Sequence, residues 1–567
     1  MNSKNEMHTR PCTSVISLPL GGGNLSKGSK CLGELRIKGF DNNHRKNPGS
    51  RKEAFRVNAT LPRKLRRRKR RIERRLEPVA WPEQDAPMFS ATNLQYDLAE
   101  RTRAFVYGGI GAMHLLAHRS GLIEAIDQNL HLLKRHLPYH ESDHVLNIAY
   151  NILCHGQCLE DLERLRHDEV YLDALGAQRI PDPTTAGDFC RRFEAADVEC
   201  LMDAINAVRL NVWQRQPQAF FDEAVIDADG TIAPTTGECK DGMDMSYKGQ
   251  WGYHPLVISL AHTSEPLYLV NRSGNATSSQ SAAAYLDRAI ALCRNAGFRN
   301  ILLRGDTDFS QTEHLDRWDD QGVQFIFGMD AMANLKTIAE GLPEGLWKPL
   351  TRPAKYRVQT EPRRRPENVK ERIVKERRYK NTRLQSEHVA EFDYSPTKCH
   401  KTYRVVVLRK NLSTERGEQV LFDEIRYFFY ITNDRTSSAA EIVRRANQRC
   451  NQENLIEQLK NGVRALRMPV DNLVSNWAYM VMASLAWTLK AWFALWLPEN
   501  GRWSRKHRAE KETVLRMEFK KFRHAFIALP CQIVRSGRRI LYRLLSWNQW
   551  LRVFFRGVAA LRFPLRC

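Results

Sequence analysis

The chain has 567 residues, 42% of them hydrophobic, which is enough for two or three domains with a sizeable interior plus tails. Its twelve cysteines follow no repeating framework and read as reduced thiols of a cytosolic protein, which excludes a disulfide-stapled secreted scaffold. A formal net charge of +24 points away from acidic ligands' mimics and toward a polyanionic partner.

That charge is unevenly placed. Arg36 to Glu77 carries 17 basic residues against 4 acids, and Arg502 to Cys567 carries 17 against 3. A third excess, Arg352 to Arg383, has 13 against 4. Blocks of this kind bind nucleic acid by releasing its condensed counterions. Residues 1–90 read as a basic, largely disordered arm that holds GGGNLSKGSK, the tract RKLRRRKRRIERRLE with Arg66, Arg67 and Arg68, and a Pro-rich linker. The N-terminus shows no targeting pattern.

Residues 91–215 have apolar side chains at three- and four-residue spacing and are predicted to form short helices, an arrangement suited to reading DNA and equally to a generic bundle. Within them, CHGQC (Cys154, His155, Cys158) lacks a second pair at zinc-finger spacing and reads as small buried side chains on a helix. From residue 216 to 333 the runs AVIDADGTIAP, HPLVISLAHT, PLYLVNRSG, RNILLRGD and VQFIFGM predict strands with intervening helices, hence an α/β domain with a mixed sheet. Residues 334–430 are β-rich and basic and interrupt that domain. Residues 431–500 resume it with a long helix, capped by Ser438 and Glu441 and ended by Gly462. The apolar stretch Trp477–Leu497 is interrupted by Lys490 and reads as a buried helix, with no membrane span expected. Residues 501–567 form a basic helical C-terminal region.

Three acids stand where chemistry collects. Asp227 and Asp229 lie two apart in VIDADGT, on one face of a strand. Asp306 ends the run ILLRGD, where a buried strand emerges into a loop. Glu453 lies mid-helix, with Arg449 and Lys460 on the same side. Gathered carboxylates repel, so the set calls for cations. Two Mg²⁺ or Mn²⁺ ions about 3.5–4 Å apart would neutralise it and serve phosphodiester chemistry. No Gly-rich phosphate loop is present to suggest a nucleotide cofactor.

The order and spacing of these motifs resemble the DDE transposases of bacterial insertion sequences. Arg449, Glu453 and Lys460 match the signature Y-x2-R-x3-E-x6-K, with Ala446 at the tyrosine position. VIDADGT matches the first-acid motif with Asp229 and Thr231, which favours Asp229 over Asp227, and LRGDTDF matches the second with Asp306 rather than Asp308. The similarity spans roughly residues 140–500 and is nearest to the insertion sequence 1380 family. It implies an RNase H-like catalytic core (216–333 and 431–500) interrupted by a β-rich insertion, preceded by a helical DNA-binding domain and flanked by basic tails. It implies metal ligation by Asp229, Asp306 and Glu453, phosphate contacts from Arg449 and Lys460, and nicking at the element ends with strand transfer through a hairpin. An aromatic residue of the insertion, for which Trp347 is the candidate, would stack on a flipped base. Expected partners are duplex DNA (terminal inverted repeats and target) and a second copy in the synaptic complex, in the bacterial cytoplasm. The competing readings are an RNase H-like nuclease or recombinase without strand transfer, and a non-catalytic DNA-binding derivative.

Overall fold

The computed structural model describes residues 48–77, 88, 91, 94–352, 369–416, 419–536 and 539–562. Residues 1–70 and 71–567 are separate compact units. The basic tract, expected to be disordered, is helical: helix α1 spans Pro48–Leu76. Arg, Lys, Glu and Leu are all strong helix formers, and their propensity outweighs the repulsion expected of the tract. Arg66 and Arg67 are exposed on it and Arg68 is half-buried. Residues 1–47 and 78–87 of the expected arm, and 353–368 of the third basic block, lie outside the described residues.

The larger unit begins with helices, among them α2 (Ile110–Ser120), α3 (Glu141–Leu153) and α4 (Ala195–Trp213). Next come strands β1 (Glu223–Gly230), β2 (Leu256–Leu260) and β3 (Glu265–Val270), helix α5 (Ala282–Ala296), and strands β4 (Asn300–Gly305) and β5 (Gln324–Met329). Strands β6 (Lys348–Pro349), β7 (Lys380–Tyr394), β8 (Tyr403–Arg416) and β9 (Gln419–Thr432) follow. All nine join one sheet in the order β6-β7-β8-β9-β5-β4-β1-β2-β3. β4 is parallel to both β1 and β5, and β2 is antiparallel to β1. The central strand β4 is buried from Ile301 to Gly305, which explains its unbroken apolar run.

The β-rich stretch extends the sheet, because β9 pairs antiparallel with β5 through Phe429–Thr432. Helix α6 (Ala439–Asn447) cements the join. Its Ile442 and Val443 pack with Leu302 and Ile326 of the central strands and with Val389, Val406 and Leu408 of β7 and β8. Ser438 caps α6 by accepting from the Glu441 N–H at 3.2 Å.

The expected long helix is broken at Gln448–Arg449 into α6 and α7 (Cys450–Glu457), which runs on into a π turn, Gln458–Gly462. A continuous helix would give the Arg445 carbonyl to the Arg449 N–H. Here Arg304 Nη1 donates to that carbonyl at 2.7 Å, and the Arg449 N–H donates to Ala446 instead. A β-strand side chain thus cuts the helix one turn before Glu453.

Helix α8 (Leu473–Leu495) is the one described helix long and apolar enough to cross a membrane, and it is buried within the protein. Asn472 caps it, and it packs against β3, α2, α3 and α4. Trp477 and Trp487 donate their indole N–H groups to the carbonyls of Leu269 and Ser264, at 2.5 and 2.7 Å, tying α8 to the sheet edge. The C-terminal region, expected to be helical, also contains an antiparallel pair, Cys531–Ser536 with Arg539–Leu544, which pairs with Ala104–Phe105. No described cysteine is in a disulfide, and Cys154–Cys158 forms the turn leaving α3 and is not part of the helix.

Lys490 of α8 is fully buried; its ammonium donates to the Leu515 carbonyl at 2.5 Å and lies over the Trp487 ring. Burial pushes its pKa down to about 7. Between that value and the unfolded one near ~10.4, the unfolded chain binds the extra proton, so stability rises with pH across this window and is flat below it. Urea midpoints at neutral and mildly alkaline pH are expected to show this rise in the wild type, by up to about 1.4 kcal/mol per pH unit. A Lys490→Met variant is expected to lack this component of the rise.

Candidate active site

The parallel register of β1 and β4 aligns Asp227 with Arg304. Two residues further along each strand stand Asp229 and Asp306, so both leave the sheet at the same end. Asp306 caps the turn Thr307–Phe309, and its Oδ1 accepts from the Asp308 N–H at 3.1 Å. Arg449, at the start of α7, reaches down between them: its Nη1 lies 3.1 Å from Asp229 Oδ2 and 4.0 Å from Asp306 Oδ2. Asp229 is mostly buried and Asp306 about one-third exposed.

Burial raises the pKa of Asp229 to about 6, with the neighbouring charges of Asp306 and Glu453 adding to it and Arg449 opposing. Asp306 is raised for the same reasons, by burial first and by Asp308, again against Arg449. Asp229 and Asp306 therefore share one arginine, and Asp229 also senses Glu453. Glu453 is exposed in the first turn of α7. Lys460, on the π turn, is depressed by burial and by Lys248, and the charges of Glu457 and Asp229 oppose this.

Asp227 is differently engaged. Arg304 Nε and Nη2 grip its two oxygens at 2.7 and 2.8 Å, and both side chains are almost wholly buried. This bidentate pair uses the carboxylate that sequence left as the alternative to Asp229. Asp227→Asn is expected to destabilise the fold by about 3–5 kcal/mol, as a buried arginine is left without its counter-charge. Asp229→Asn, relieved of repulsion, is expected to melt no lower than the wild type; thermal unfolding of the two variants separates the roles.

Gln452 carried no signal in the sequence. It is buried, its Oε1 accepting from Ser259 Oγ and its Nε2 donating to the Val257 carbonyl at 3.0 Å. Both partners lie on β2, so Gln452 fixes the seat of α7 and with it the height of Glu453 above the sheet. Only a tertiary contact reveals such a residue. Trp347 lies away from these acids in the contacts it makes: it is buried under Arg409, whose guanidinium is 4.2 Å from its ring centre, and near Tyr427. Arg66, Arg67 and Arg68 belong to α1.

Among the described residues, no three His, Cys, Asp or Glu side chains converge closely enough to hold a metal ion as they stand. The donor set nonetheless fits one: hard carboxylate oxygens, mutually repelling, with a single arginine between them.

Comparison with known proteins identifies the family. The family described as transposase DDE domain group 1 matches residues 106–563. No curated protein matches the chain. Among solved structures, the chain is similar to the piggyBac transposase synaptic complex with hairpin DNA, at 10% identity and a TM-score of 0.29, over 74% of this chain and 88% of that one. With the family match covering most of its length, the chain belongs to the DDE transposases.

Proposed function

We propose that this transposase nicks DNA at the ends of a mobile element and joins those ends to target DNA, by cut-and-paste through a hairpin, with Asp229, Asp306 and Glu453 as its catalytic acids. The observation that carries the assignment is the shared grip of Arg449 on Asp229 and Asp306 at the same end of the sheet. Two Mg²⁺ or Mn²⁺ ions, held by Asp229 with Asp306 and by Asp229 with Glu453, would activate the attacking water or 3′-hydroxyl and stabilise the leaving oxygen. Arg449 offsets the acids' repulsion and, with Lys460, orients a phosphate near the scissile bond. Gln452 and the Arg304–Asp227 pair position the helix and strands that carry the acids.

The five strands β3-β2-β1-β4-β5, with β2 alone running against the other four, support an RNase H-like core, to which β6–β9 add the insertion. The helices of residues 91–215 serve as the DNA-reading domain, and the basic arm with Arg66, Arg67 and Arg68 and the C-terminal basic region hold duplex backbone. A homodimer synapsing two inverted repeats, an origin near the insertion sequence 1380 family and action in the bacterial cytoplasm complete the proposal. The test is incubation of the purified protein with Mg²⁺ and a duplex carrying the element's terminal repeat. A nick at the repeat boundary followed by a hairpin is expected; binding without any metal-dependent cleavage would overturn the proposal.

A further inference from the structure

The turn Cys154–Cys158 plays no part in the acid cluster; it is ringed by arginines and histidines, with one carboxylate, Asp161, accepting from the Gln157 and Cys158 N–H groups at 2.6 and 3.3 Å. His155 lies between Tyr107 and His524, with ring centres 5.7 and 5.3 Å away. Arg164 reaches the same place, donating to Tyr107 Oη at 2.8 Å and to the Cys154 carbonyl at 2.9 Å. Arg523 donates to the Ile152 carbonyl at 3.1 Å, and Arg464 meets Gln157 of the turn at 3.4 Å. Arg164, Arg464, Arg523 and His524 thus gather around the turn that carries His155.

Three features mark the cluster as unfinished. First, His155 Nε2 and Arg523 Nε are both buried without a hydrogen-bond partner among the described residues. Second, cationic groups crowd together: burial first, then Arg523, His524 and Arg164, disfavour a proton on His155, and burial first, then Arg464, disfavour charge on Arg523. Third, the backbone is strained from both sides, since His155 and Arg464 are non-glycine residues in the left-handed region, at φ 69° and 55°. Orphaned buried nitrogens, crowded cations and strain at one point are what an anion site looks like when its anion is absent.

We infer that His155, Arg164, Arg464, Arg523 and His524 form a second nucleic-acid subsite, separate from the acids, that takes a backbone phosphate. This rests on the DNA-transposing function proposed above. Arg464 follows Glu453 through α7 and its π turn, so one continuous segment links the acid and the subsite. A strand held here would be anchored relative to the scissile position by covalent geometry of the chain and not by a flexible arm.

The test uses the full chain, a fluorescein-labelled duplex and metal-free buffer, read by anisotropy over a salt series. Arg464→Gln is expected to weaken binding about tenfold and to lower the salt slope by about 1, whatever the duplex sequence. Its DNA-free melting temperature is expected to stay level or rise, because a repelling charge has been removed. Arg464→Lys is expected to restore binding. A loss under about threefold, or a lost affinity with lowered melting that Arg464→Lys fails to restore, overturns the inference. If inorganic phosphate raises the melting temperature of the wild type but not of Arg464→Gln while duplex binding is equal in both, the subsite takes free anions and the nucleic-acid assignment fails. Because the binding is read without metal, its outcome is independent of whether the acids cleave.

Discussion

Asp306→Asn is expected to lower metal-dependent nicking of end-containing DNA by at least about 10²–10³-fold, the scale on which preorganised electrostatic groups act on a reacting centre. Asp306 is one-third exposed at a strand end, and its one described side-chain hydrogen bond, from the Asp308 N–H, survives in the amide. The fold should therefore be intact, and duplex binding in metal-free buffer should match the wild type. Glu453→Gln is expected to behave alike, since Glu453 is exposed in the first turn of α7. The double variant should lose little more than either single one, as members of one catalytic unit do not contribute additively. Nicking by Asp306→Asn at the wild-type rate would remove Asp306 from the chemistry.

The second large effect is on stability. Glu265 opens β3 at zero exposure, and its oxygens accept from Arg209 Nε at 3.1 Å and from the indoles of Trp213 and Trp492, each at 2.9 Å. One carboxylate thus joins the sheet edge to α4 and α8. Glu265→Ala is expected to cost about 3–5 kcal/mol, because it leaves the buried Arg209 charge uncompensated. Two indole N–H groups would also lose their acceptor. Urea unfolding measures it; a loss below about 1 kcal/mol would mean that the joint is dispensable. A Glu265→Gln variant should fall between, keeping an acceptor while losing the charge.

These two sites differ in how far they could be read from the chain. Asp229, Asp306 and Glu453 stand out in the sequence because each occupies a recognisable place, two at the ends of apolar runs and one beside Arg449 and Lys460. Glu265 stands in HTSEPLYLV as an ordinary turn acid, and nothing local announces that an arginine 56 residues earlier and a tryptophan 227 residues later will meet on it.

What the chain by itself determined is periodic and local: the strands, the short helices, the Ser438 cap and the buried apolar helix, each encoded within a few residues by spacing and propensity. Tertiary structure decided the rest. It joined β6–β9 to the sheet, since edge pairing depends on which strand ends lie side by side and not on composition. It split the helix at Arg449 because Arg304 claimed the Arg445 carbonyl. It also divided the labour of two acids one pleat apart. Strand register sets Asp227 against Arg304 in the interior and leaves Asp229 at the sheet's end, facing Arg449 and Asp306. Charges that look equivalent in sequence become different groups once burial and their partners are fixed.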